Sequence, residues 1–218
     1  MKHCLWILLL ALSACATAPA PKPTEPDNDR PDRLTPGQAY ERALELRDSN
    51  RLSRARLFLQ SAGQRGHAGA QFELGLWYLT GRDGVVDDSH AAIWLHLAAQ
   101  QLQPDALRYV WQLHLFGRGV EKNPDLARQW LETGARSGDA ALQYRLGVWL
   151  AEGYTGQPDK PAASHWLVRA AQGGVVEACY RAGLMLLEGD GIEADEILAV
   201  ELLQRGANDG HAPCMLPL

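Results

Sequence analysis

The sequence lacks the short motifs that mark common hydrolases. It contains no Gly-x-Ser-x-Gly and no His-Glu-x-x-His, the motifs of α/β-hydrolases and zinc proteases. Its histidines do not recur beside a carboxylate, so we interpret them as surface or packing residues. These absences argue against catalysis, and we predict neither a metal site nor a cofactor.

Basic residues and long apolar runs are also scarce. The chain of 218 residues has 21 Lys and Arg against 26 Asp and Glu, a net charge of −5, and no stripe of basic residues. That balance argues against nucleic acid or an anionic membrane surface as a partner. Beyond the first 15 residues, no apolar run is long enough to span a bilayer.

The apolar run at 4–12 is typical of a secretion signal. It follows Lys2 and is shorter than a membrane-spanning helix. It ends in Leu-Ser-Ala-Cys at 12–15, which resembles a bacterial lipobox. The resemblance implies a signal peptide at 1–14 and lipid on Cys15, with an ordinary secretory signal as the alternative. Because Ala16 and not Asp follows, we expect an anchor in the outer membrane, facing the periplasm.

A proline-rich segment occupies the region 15–36. Six prolines fall within it with almost no apolar side chain between them, at positions 19, 21, 23, 26, 31 and 36. Such a segment cannot offset its ordering entropy by burying apolar surface. We therefore predict an extended linker between the lipidated cysteine and the folded part of the chain.

Residues of the same type recur every 36 positions. Tryptophan occurs at 94, 130 and 166, glycine at 81, 117, 153 and 189, and alanine at 91, 127, 163 and 199. A gap-free period of this length indicates stacked helical pairs, in which each unit covers the apolar face of its neighbour. We predict an all-α solenoid and expect a binding surface, not a catalytic cleft.

Each unit contains two predicted helices, A and B. In the third unit, helix A covers 139–152 and ends at Gly153, and helix B begins at the N-cap Asp159. Helix B ends near Gly174, in a column that holds glycine in other units and Leu102 once. We interpret the tryptophan column as core, packed among small alanines.

These columns resemble the Sel1-like repeat family, which is related to the tetratricopeptide repeats. The family pattern is found here as Leu74-Gly75, Tyr78, Gly81, Asp87, Ala91, Trp94 and Ala98-Ala99. The resemblance implies a right-handed α-solenoid of stacked antiparallel helix pairs. It predicts a degenerate pair at 37–66, four repeats at 67–210 and a capping stub at 211–218. Trp111 departs from the pattern, because it replaces the column glycine where helices approach closely.

Two cysteines remain if Cys4 is removed and Cys15 carries lipid. Cys179 and Cys214 are 35 residues apart, almost one repeat, so they fall at near-equivalent places on neighbouring helices. A periplasmic location permits a disulfide between them. Helix axes lie about 8–10 Å apart, whereas a disulfide needs Cα atoms within about 7 Å, so two buried thiols are the alternative.

Helix A lines the concave face of the tetratricopeptide superhelix, and the resemblance implies the same here. The Leu-Gly columns place eight residues on that face: Phe72, Leu76, Arg108, Gln112, Tyr144, Val148, Tyr180 and Leu184. A third column holds Leu79, Leu115, Ala151 and Leu187. Apolar and aromatic side chains around an arginine suit a protein anchor site. The alternative is that these side chains only pack against one another.

We therefore expect a lipid-anchored, periplasm-facing adaptor that binds another protein and catalyses nothing. A second interpretation comes from the resemblance: small periplasmic members of the family also act as immunity proteins against secreted antibacterial lipases. A third, an enzyme linked to penicillin binding, is disfavoured because the relatives concerned carry regular cysteine pairs in every repeat. This chain has no such pairs.

Overall fold

A computed structural model describes residues 30–82, 84 and 86–209. This part of the chain forms ten α-helices and no strand, which confirms the predicted all-α fold. The helices are α1 Pro36–Asp48, α2 Leu52–Gln64, α3 Ala68–Thr80, α4 Asp88–Gln100, α5 Pro104–Phe116, α6 Pro124–Arg136, α7 Ala140–Glu152, α8 Lys160–Gln172, α9 Val176–Glu188 and α10 Glu196–Asn208. Each helix packs against the next, so the pairs stack in chain order.

The B helices of the four repeats begin where the sequence provides a capping side chain. In each of the four repeats, the residue before helix B accepts a hydrogen bond at 2.9–3.0 Å from the backbone N–H three positions later. These N-caps are Asp87, Asn123, Asp159 and Asp195. At Asp87 the bond from the His90 backbone is the main reason that the carboxyl pKa lies below its usual value.

Helix ends follow the glycine columns. Helices α3, α5, α7 and α9 each end at a glycine in the left-handed conformation, with φ between 60° and 72°. Helix B is followed by a second left-handed position, and there Leu102 adopts φ 58° although it is not glycine. The repeat therefore imposes this backbone conformation whichever residue occupies the column.

The core is built from leucines and small residues. Gly75, Gly147 and Gly183 lie against a leucine of their own helix B, and an added Cβ at these positions would lie 2.5–2.7 Å from that leucine. The tryptophan column packs against the core but stays partly exposed. Among the tryptophans that the structure describes, Trp77 is fully buried, so the tryptophan column lies at the edge of the core and not at its centre.

Several predictions from the sequence concern residues outside the described part. The signal peptide at 1–14, the lipidated Cys15, most of the linker, Cys214 and the stub at 211–218 all lie there. Within the described residues, each helix has 13 residues, and none combines the length and apolarity needed to cross a bilayer.

Candidate functional site

The eight residues predicted to line the concave face lie on α3, α5, α7 and α9, two on each helix. We call this surface the A-helix face. All eight side chains remain at least partly exposed, and Arg108 and Gln112 are the most open. The columns therefore place two at least partly exposed side chains on each of four successive A helices.

Side chains of the A-helix face contact neighbouring repeats. The rings of Phe72 on α3 and Tyr109 on α5 have centroids 5.9 Å apart. Tyr144 and Val148 on α7 pack against the apolar cluster that contains Leu186 of α9. These side chains are therefore partly packed against neighbouring repeats and partly exposed to solvent.

Arg108 is held by two carboxylates. Its Nε donates to Oδ2 of Asp139 at 2.7 Å, and its Nη1 donates to Asp105 at 3.3 Å. The Asp139 side chain is only 6% exposed, and its other oxygen caps α7 by accepting from the Leu142 backbone at 3.0 Å. Arg108 therefore pairs with the carboxylate that caps α7, and it is not an isolated cation on the A-helix face.

Two further ion pairs join successive repeats and reveal a reversal of charge. Arg118 lies 2.8 Å from Asp88, and Asp190 lies 2.9 Å from Lys160. The two pairs occupy the same columns two repeats apart, with acid and base exchanged. The two columns therefore accommodate the acidic and the basic residue in either order, as expected for an ion pair that holds adjacent repeats together.

A pocket of about 390 Å³ opens beside Trp111, between α5 and α7. In other repeats, a glycine in this column lets helix B approach closely. In the second repeat the indole lies there and faces the same pocket as the buried Leu131 of α6. The pocket is lined by Trp111, Leu115, Phe116, Lys122, Leu131, Arg145, Val148, Trp149 and Tyr154. The packing disturbance that the sequence predicts at Trp111 thus coincides with an accessible cavity.

Only part of this pocket could be found from the sequence. Leu115 and Val148 belong to columns that we predicted to face inward, whereas Phe116, Lys122, Arg145 and Tyr154 were not predicted as site residues. A signal for them exists nevertheless. Phe116 replaces the Thr80 and glutamates of its column, and Tyr154 stands where two other repeats carry arginine.

Two histidines, one on α4 and one on α5, form a close contact. The Nε2 atoms of His96 and His114 are 2.7 Å apart. Burial, and secondarily the neighbouring His96, lowers the pKa of His114. No cluster of three or more potential metal ligands occurs in the described ranges. A pair of imidazoles between α4 and α5 is best explained as a packed hydrogen-bonded contact.

Cys179 lies in a column of the repeat where two other residues form buried hydrogen bonds to the backbone. Gln71 and Gln143, three repeats and one repeat earlier in the same column, donate to the backbone oxygens of Gly63 and Ala135 at 3.0 and 3.1 Å. The buried Cys179 thiol lies 3.9 Å from the equivalent oxygen of Ala171. The disulfide to Cys214 stays a prediction, because that residue lies outside the described part.

The stacked helix pairs define this protein as an α-solenoid of the helical-repeat class. A family model described as Sel1 repeat matches residues 68–101, 112–139, 140–175 and 176–211, more than half of the chain. The chain therefore belongs to the Sel1 repeat family. Sel1 repeat proteins typically mediate protein–protein interactions and are generally non-catalytic.

Two solved structures are similar to this chain in fold and, to different degrees, in sequence. A Sel1 repeat protein from Oxalobacter formigenes is 31% identical with a TM-score of 0.74, covering 84% of this chain and 55% of that one. A protective antigen of uropathogenic Escherichia coli with an SLR fold is 22% identical with a TM-score of 0.75, covering 82% and 39%. The second likeness concerns the fold alone. This chain spans about half the length of the first relative and less of the second.

Proposed function

We propose that this chain is a lipid-anchored adaptor of the bacterial envelope that binds another protein through the A-helix face and catalyses no reaction. The observation that carries the proposal is the run of eight partly exposed, mainly apolar and aromatic side chains on four successive helices. A continuous surface of this kind across repeats is the usual binding surface of a solenoid. Anchor residues in protein interfaces are enriched in tyrosine and arginine.

The lipid anchor rests on the sequence around Cys15 and is tested separately. Metabolic labelling with a fatty-acid analogue should mark the wild-type chain and not the Cys15→Ser variant. Fractionation of the envelope should then find the wild type in the outer membrane. Labelling of the variant, or no labelling of either chain, would refute the anchor without affecting the binding proposal.

The binding proposal is tested by capture of partners from detergent-solubilised envelope. Replacing Tyr144 and Tyr180 with alanine should abolish capture, because both rings lie on the A-helix face and are partly exposed. The matched control replaces two exposed B-helix residues, Ile197 and Ile93, which are 84% and 57% exposed. Circular dichroism must show that all variants are folded. Unchanged capture by the tyrosine variant would refute the proposal.

The identity of a captured protein decides between an adaptor and the immunity role. Capture of envelope components supports the adaptor, whereas capture and inhibition of a secreted lipase would establish the alternative. Turnover of a β-lactam or a phospholipid by the purified chain would contradict the non-catalytic proposal.

A further inference from the structure

The pocket beside Trp111 is lined by several residues that depart from the repeat pattern of this chain. Three of its aromatic residues stand in columns that hold other residue types elsewhere in the chain. Trp111 replaces glycine, Phe116 replaces threonine or glutamate, and Tyr154 replaces arginine or aspartate. The scaffold accommodates the other residues in three sister repeats, so the fold alone does not require these rings. Their convergence on one cavity points to a task beyond packing.

Two of these rings are open to solvent. Phe116 is 65% exposed and Tyr154 is 64% exposed, although both contribute to the pocket. The Tyr154 ring lies 5.2 Å from the buried ring of Trp149, so its inner edge is supported by the core. Exposed aromatics at the rim of an apolar cavity are typical of sites that receive a bulky side chain.

The charge of the pocket is opposite to that of the chain. Its lining includes two cations, Lys122 and Arg145, and no acidic residue, whereas the whole chain carries −5. Within the part of the chain that the structure describes, neither cation forms an ion pair, and Arg145 only lies 5.9 Å from the Tyr144 ring centroid. Most other basic side chains of the described A helices are paired. The pocket therefore offers two available cations beside an apolar cavity.

We propose that this pocket receives a bulky apolar side chain of a partner protein, flanked by carboxylate side chains that pair with Lys122 and Arg145. The inference rests on the proposed binding function and specifies the chemistry of the partner. A volume of about 390 Å³ is near the lower end of the roughly 300–1,000 Å³ found for ligand pockets, which suits a side chain better than a large cofactor. Leu115 and Val148 belong to both the pocket and the A-helix columns, so a bound segment can continue along that surface.

The experiment is an NMR titration of the full chain, labelled with nitrogen-15, that follows the indole signals of Trp111 and Trp149. The probe is acetyl-Glu-Phe-Glu-amide. Two reference peptides replace either both glutamates with glutamine or the phenylalanine with alanine, and dodecanoate tests whether a fatty acid is preferred. We expect the first peptide to shift both indole signals and to bind most tightly of the four ligands.

Two double variants test the assignment of roles. Lys122→Glu with Arg145→Glu should weaken the apparent affinity for the acidic peptide at least about tenfold, because attraction becomes repulsion. Phe116→Thr with Tyr154→Arg installs residues that sister repeats carry and should also weaken binding. The matched control, Arg169→Glu with Arg205→Glu on α8 and α10, changes the net charge equally and should leave affinity unchanged.

Each result bears on the proposal. Absence of indole shifts, equal affinity of the charge-reversed variant, or tighter binding of dodecanoate would overturn it. Capture of envelope proteins that survives in the pocket variants and fails in the Tyr144/Tyr180 variant would overturn the pocket and leave the binding function standing. Peptide binding at Trp111 without any captured envelope protein would instead refute the proposed function alone.

Discussion

A single methyl group added at Gly119 should strongly lower the free energy of unfolding. It follows α5 in the turn that holds Arg118 against Asp88 at the start of α4. Its φ is +68°, and a Cβ built there would overlap the backbone carbonyl of Asp88. Because the neighbour is main chain at the start of a helix, it cannot rotate away as a flexible side chain could.

The expected cost has two parts. A non-glycine residue in the left-handed conformation costs about 1–2 kcal/mol. Overpacking against a fixed neighbour costs about a further 1–3 kcal/mol. Gly119→Ala should therefore lower the free energy of unfolding by about 2–5 kcal/mol, a large share of the roughly 5–15 kcal/mol that stabilises a typical domain.

The chain provides a matched control at Gly189. Its φ is also +68°, but the nearest atom to an added Cβ would be 3.7 Å away, an ordinary contact. Gly189→Ala should show only the conformational cost. Gly191, two repeats after Gly119, would overlap the Lys160 backbone and should reproduce the larger effect. Urea denaturation followed by circular dichroism measures all three.

Equal destabilisation by Gly119→Ala and Gly189→Ala would refute the reasoning. It would mean that the turn and α4 move apart at little cost, and hence that the close approach between repeats does not hold the stack together. A larger loss at Gly119 and Gly191 than at Gly189 would confirm that this approach is a structural joint.

Three other changes have defined outcomes. Trp77→Ala should lower the free energy of unfolding by about 3–5 kcal/mol, more than Trp130→Ala, because Trp77 alone of the two is fully buried. Leu102→Gly should stabilise the fold by up to about 1 kcal/mol in urea denaturation, because Leu102 has φ 58°. Burial lowers the pKa of His114, so the unfolded chain binds this proton first. Stability should be full above about pH 6.5 and fall as the pH decreases below it, and less so in His114→Asn.

Local features of the fold could be predicted from the sequence because local rules decide them. Asp159 caps α8 and Gly153 ends α7 as expected, since a cap needs only a side chain and the first turn of its helix. The column argument also extends to Leu102, whose backbone follows the glycines of its column. Here the repeat provides information that a single unit could not.

Features that depend on the stacking geometry could not be predicted in this way. One of the two partners of Arg108 is Asp139, the N-cap of the next A helix, and no local spacing rule joins these residues across 31 positions. The partial exposure of Trp130 depends on how closely neighbouring helices approach, which residue type alone does not reveal. Trp111 is visible as a departure in the sequence, but the place where a cavity opens follows from the positions of α5, α6 and α7.

In a repeat protein, equivalent positions of other repeats indicate which substitutions the fold tolerates, and such substitutions are the best test of the pocket. Each column places several residue types in nearly the same surroundings, so a side chain from a sister repeat is already known to be compatible with the scaffold. Alanine at Phe116 or Tyr154 would mix lost binding with lost packing. Threonine at 116 and arginine at 154 avoid this problem, because Thr80 and Arg118 occupy those columns in folded repeats. Loss of peptide binding in such a variant at unchanged stability would therefore assign the rings to recognition.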